Sequence, residues 1–86
     1  MTDAQRQACE FVQYILGQIC ENKETIETEV IAAEHEVIIM ARVPVAEMGR
    51  AIGKEGQTIS ALRTLIKIIG ARSEERLHLK IEELTA

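Results

Sequence analysis

Gly53-Lys54-Glu55-Gly56 is the short string in this chain whose residue types could grip a charged ligand through the backbone. An apolar half-turn, Met48-Gly49-Arg50-Ala51-Ile52, precedes it, and a long amphipathic run from Gln57 to Ile69 follows. Glycine lets a backbone come close to a phosphate because no Cβ stands between them. A helix that begins at Gln57 adds its free N–H groups and the positive end of its dipole at the same place. Arg50 and Lys54 supply charge there, with Arg63 and Lys67 further along the helix.

Two phosphate loops are excluded by spacing. A P-loop needs four residues between its glycines and then Lys-Ser/Thr, whereas Gly49 and Gly53 have three residues between them and Lys54 is followed by Glu55. The dinucleotide fingerprint needs a glycine where Ala51 stands and a strand immediately before it. What remains is Ile-Gly-x-x-Gly between two helices.

The elements that must hold this loop follow from periodicity. Thr2 with Gln5 reads as a capping box, and Ala8, Phe11, Val12, Ile15, Leu16 and Ile19 form one helical face ending near Asn22-Lys23. From Thr25 the period becomes two, with Ile26, Thr28, Val30 and Ala32 on one side. After a turn at Glu34-His35 a second strand runs from Glu36 to Val43, and Pro44 ends it. Two strands this close in sequence should form an antiparallel hairpin. A short helix over 45–52, the glycine loop and a helix to Ile69 come next, with Gly70 as the residue just past the helix end. The last strand carries Leu77, Leu79 and Ile81 on one face and His78, Lys80 and Glu82 on the other. The predicted order is α-β-β-α-α-β, one domain over 1–86.

Eighty-six residues leave room for one core, and 47% of them are hydrophobic. The aromatics are Phe11 and Tyr14 alone, which argues against an RRM, cold-shock or OB-type surface, where bases stack on aromatic side chains. The net charge of −4 is unevenly spread. Residues 1–36 hold two basic and eight acidic side chains; residues 37–76 hold seven basic and four acidic. Positive charge therefore gathers around the glycine loop, where a phosphate backbone would lie. No apolar run approaches a membrane span and Met1-Thr2-Asp3-Ala4 lacks a signal pattern, so a cytoplasmic protein is expected. Cys9 and Cys20, about 16 Å apart along one helix, read as free thiols.

The string Gly49-Arg50-Ala51-Ile52-Gly53-Lys54-Glu55-Gly56-Gln57-Thr58-Ile59, with its flanking strands, resembles the small stand-alone bacterial KH proteins of the KhpA/YlqC-like family. The resemblance extends over essentially the whole chain, because the extra helix and strand precede the shared β-α-α-β unit as in KH type II. It implies an α+β fold with a three-stranded mixed sheet and three helices on one face. It also implies single-stranded RNA held in a groove. Gly53, Lys54, Glu55 and Gly56 would hold the backbone, with charge from Arg50, Lys54 and Arg63. Ile52 and Ile59 would form the floor and Leu79 or Ile81 the opposite wall. Bases would be read by backbone groups across Leu79, Lys80 and Ile81. Relatives act as post-transcriptional regulators or RNA chaperones, pairing with themselves or with a larger KH-containing protein, so a homodimer or such a heterodimer is implied.

Other chemistries find little support. His35 and His78 lack partners at metal-ligand spacing, Ser60 and Ser73 lack an adjacent base, and the glutamates at 27, 29, 34 and 36 read as a solvated edge. A non-enzyme with no cofactor or metal is expected. The competing reading is a protein-interaction module that keeps the fold but works through the helix after the loop. Ala61, Leu65 and Ile68 form a second apolar stripe on that helix, beyond the face needed for the sheet. Net acidity and Glu55 in the loop favour that reading; Lys54 and the clustered basic residues favour RNA.

Overall fold

Thr2 opens the first helix through both halves of a capping box: its hydroxyl accepts from the Gln5 N–H, and the Gln5 side chain accepts from the Thr2 N–H. In the computed structural model, which describes residues 1–84, this helix, α1, runs over Asp3–Ile19. Strands β1 (Glu27–Ala32) and β2 (Val37–Pro44), helices α2 (Met48–Ile52) and α3 (Gln57–Ala71), and strand β3 (Leu77–Leu84) follow. The order is the expected α-β-β-α-α-β.

The sheet order is β1-β2-β3. β1 and β2 are antiparallel with Glu29 opposite Met40, and β2 and β3 are parallel with Ile39 opposite Leu79. A parallel pair needs a crossover, and α2, the glycine loop and α3 form it. The sheet is therefore mixed, and the helices lie on one face of it. Ala8, Val12 and Leu16 of α1 meet Ile39, Ala41 and Val43 of β2, Leu62 and Ile66 of α3, and Leu77 and Leu79 of β3 in one buried cluster. Each fully buried Leu or Ile here contributes about 1.5–3 kcal/mol of apolar transfer free energy.

Three local readings need correction. β1 begins at Glu27 rather than Thr25, because Lys23–Thr25 forms a 3₁₀ turn in which the Thr25 hydroxyl donates to the Asn22 carbonyl at 2.7 Å. Gly70 is not a left-handed cap. It lies within α3, fully packed, where a Cβ would stand 2.6 Å from the Glu75 carbonyl oxygen. The chain reverses instead at Glu74, with φ of 56°. Glu29 is not simply solvated: its carboxylate accepts from Arg42 Nη1 at 2.8 Å, while Arg42 Nε donates to Glu82 at 2.8 Å, tying the outer faces of the strands together. Met40, on that outer face, is buried beneath this row of long side chains, flanked in register by Glu29 and Lys80.

Candidate nucleic-acid interface

The glycine loop has the backbone its residue types permit. Gly53 takes φ 82°, ψ 170°, a region open in practice to glycine alone, and Gly56 sits in the left-handed helical region at φ 73°, ψ 16°. Glu55 between them is also left-handed, at φ 56°, ψ 25°. The Gly53 N–H closes α2 onto the Gly49 carbonyl at 2.9 Å, the Gly56 N–H bonds the Gly53 carbonyl at 3.1 Å, and the Gln57 N–H bonds that of Lys54. These bonds leave out the N–H groups of Lys54 and Glu55, whose side chains are both exposed. α3 starts at once after Gly56, and among the described residues no side chain caps it. The N–H groups of its first turn after Gln57, and its dipole, therefore stay available to an anion.

Ile52 and Ile59 flank the loop, both half-buried, with Ile59 packed on the core. Across from them stands β3, the open edge of the sheet. The Arg76 carbonyl accepts from Val37 on β2, so the backbone groups of Leu79 and Ile81 turn outward to the edge. Their side chains face the helical layer, Leu79 buried and Ile81 half-buried. Lys80 points to the opposite, outer face and is exposed. Arg63 joins the two walls: its Nε donates to the Leu79 carbonyl at 3.4 Å, across the gap between α3 and β3.

Arg50 is placed differently from the other cations. Its Nη1 lies 3.3 Å from Glu21 and 3.4 Å from Glu47, on the side of α2 that meets the end of α1. Glu47 is the residue that sequence reasoning missed. It is the one buried charged side chain among the described residues, and its other oxygen accepts from the Asn22 N–H at 2.9 Å. Nothing in its local pattern marks it, because its partners come from α1 and the turn after it.

The second stripe of α3 is on the surface. Leu65 is 43% and Ile68 53% exposed, and Ala61 is exposed beside them. Ala61 and Leu65 border a shallow apolar groove of about 310 Å³ whose other wall is Phe11 and Ile15 of α1. Cys9 and Cys20 are free thiols, and burial pushes the Cys20 thiol above its ordinary pKa. Among the described residues no three His, Cys, Asp or Glu side chains are grouped to hold a metal ion, and no helix is long and apolar enough to cross a membrane.

This arrangement agrees with what the chain resembles in sequence. The family described as "KhpA/KhpB, KH domain" matches residues 9–81. The chain is 34% identical over 74 residues to the RNA-binding protein KhpA of Chlamydia pneumoniae, covering 86% of this chain and 95% of that protein. It is 35% identical over 74 residues to the RNA-binding protein KhpA of Aquifex aeolicus, covering 86% and 94%. With RNA-binding protein KhpA of Borreliella burgdorferi the identity is 28% over 72 residues, covering 84% and 88%. A glycine loop in glycine-only geometry, the α-β-β-α-α-β order and these likenesses agree: the chain belongs to the KhpA/KhpB family of KH domains.

Proposed function

We propose that this protein binds short single-stranded RNA in the groove between the glycine loop and the β3 edge. The observation that carries the reading is the loop itself. Two glycines at positive φ bring a lysine and the uncapped start of α3 to one exposed point opposite an unpaired strand edge. Phosphates sit on the backbone N–H groups of Lys54 and Glu55 and on the α3 terminus, with Lys54 adding charge. Arg50 adds long-range positive potential, reduced by Glu21 and Glu47. Gly53 and Gly56 permit the close approach; Ile52 and Ile59 form the floor, and Leu79 and Ile81 the far wall. Bases are read at the edge, where the backbone of Leu79 and Ile81 offers N–H and C=O groups, helped by Arg63 and the neighbouring Lys80. Glu55 points into solvent and does not block a contact made by the backbone.

With one lysine in the loop, intrinsic affinity is low, so the protein works by avidity. It pairs with itself, or with a larger KH-containing protein, through Ala61, Leu65 and Ile68, and acts in the cytoplasm as a post-transcriptional regulator or RNA chaperone. Relatives named RNA-binding proteins support the RNA reading.

Binding of fluorescent single-stranded RNA pools at two salt concentrations tests this, using wild type and a Lys54→Asp/Glu55→Asp double variant checked for folding by circular dichroism. Binding that weakens with salt and is lost in the variant supports the loop. Equal binding by both proteins, or none by wild type, rejects it. The exposed stripe of α3 then makes a protein-interaction module the better reading.

A further inference from the structure

Arg6, Arg42 and Arg50 each sit within ion-pair distance of a carboxylate. Among the described residues Arg63, Lys67, Arg76 and Lys80 have no such partner, and all four are exposed. They stand together. Arg63 and Lys67, one turn apart on α3, border a hollow of about 440 Å³ on the β3 edge, with Lys80 at its outer rim. Lys67 and Arg76 line a second hollow of about 360 Å³, and the two hollows share Lys67 and His78. The result is a continuous furrow between α3 and β3.

The furrow leads away from the glycine loop. α3 begins beside the loop and recedes from it, so Arg63, Lys67 and Ala71 lie at successive turns, about 12 Å from first to last. β3 starts at the far end, next to Arg76, and runs back. Arg63 is the joint, since it bonds the Leu79 carbonyl where the furrow meets the groove. Two carboxylates border the furrow: Glu75 is held from outside it, and Glu36 lies beside His78 in its wall. Glu75 accepts from the Thr2 hydroxyl at 2.8 Å and from Gln5 Nε2 at 2.9 Å, and Glu36 lies 3.6 Å from His78 Nε2.

We propose that this furrow is a second phosphate-binding track, which carries a single strand onward from the groove past Arg63 and Lys67 to Arg76. The protein then grips a strand longer than the four nucleotides a KH loop and strand edge hold. Lys67 and Arg76 present cations, so the track grips phosphates. This inference rests on the reading of the groove as an RNA site.

The test compares randomised RNA pools of four nucleotides and of twice that length by fluorescence anisotropy across a salt series. The proteins are wild type, Lys67→Glu/Arg76→Glu, its milder Lys67→Gln/Arg76→Gln form, and a control charge reversal at exposed Lys23→Glu, all checked by circular dichroism. The expected result is that both double variants keep wild-type affinity for the short pool and lose the advantage of the long one. For the long pool the slope of log affinity against log salt should fall by about 1.4 in the glutamine form, from two single-strand contacts at about 0.7 each. Unchanged long-pool binding by the double variants, with short-pool binding intact, overturns the track and leaves the groove standing. An equal loss in Lys23→Glu overturns it as a general charge effect. Failure of wild type to bind either pool removes the groove and the track together.

Discussion

Thr58 fills the space beside Gly53 across the glycine loop: a Cβ built on Gly53 would lie 2.9 Å from the Thr58 amide nitrogen and collide with its side chain. Gly56, three residues on, has open space at the same position. Both have positive φ, so the loop needs glycine at 53 for conformation and for space, and at 56 for conformation alone. Gly53→Ala should therefore cost about 1–3 kcal/mol or more, and Gly56→Ala about 1 kcal/mol. Urea denaturation of the two variants checks the order; equal losses would mean that Thr58 gives way freely.

Gly70 sets two effects against each other. Alanine in mid-helix gains up to about 1 kcal/mol over glycine in propensity. Here its Cβ would meet the Glu75 carbonyl oxygen at 2.6 Å and Leu77 Cγ at 2.8 Å. Overpacking against backbone costs about 1–3 kcal/mol, so Gly70→Ala should be destabilising on balance, with a lowered melting temperature as the readout.

Glu47 ties the start of α2 to the end of α1. Glu47→Ala leaves the Asn22 N–H without its acceptor and removes a carboxylate from Arg50. A loss of about 1–3 kcal/mol on chemical denaturation is expected. The conservative Glu47→Gln keeps the acceptor for Asn22 and should recover part of it.

The Glu29 carboxyl is held below its ordinary value by the hydrogen bond and charge of Arg42. Its folded pKa lies below its unfolded one, so its stabilising contribution is complete above the ordinary value of 4.5 and fades as pH falls through the folded pKa. The stability gap between wild type and Glu29→Gln should be constant near neutrality and close on acidification below that value. A gap independent of pH would show that the pair contributes nothing.

Leu65 and Ile68 offer the apolar surface on which pairing is proposed. Leu65→Glu/Ile68→Glu should leave the fold intact, because both side chains already face water, and should shift light-scattering mass to that of the monomer. A monomeric wild type, or a variant of unchanged mass, would rule out this stripe as the pairing surface.

Much of this molecule was legible in the chain. The capping box at Thr2 and Gln5, the helical face of α1, the alternation of β2 and β3 and the glycine loop all depend on residues within a few positions of one another. The slip at Thr25 was local, a turn closed on Asn22; elsewhere a partner from another part of the fold decided the outcome. Gly70 lies inside α3 with Glu75 and Leu77 packed where a Cβ would stand, and Glu47 is buried because the turn after α1 arrives beside it. Local preference carries no trace of either.

The sequence by itself determined the order of elements and the glycine-only turn before α3, because periodicity and backbone freedom are properties of neighbouring residues. The family resemblance was written there too, in one contiguous string. Only the tertiary structure decided which cations are committed and which are free. Arg42 and Arg50 meet carboxylates that lie 13 and 29 residues earlier in the chain at Glu29 and Glu21, while Arg63 and Lys67 meet an open strand edge. Charge pairing is a matter of distance in space, which no count of lysines and glutamates along the chain contains.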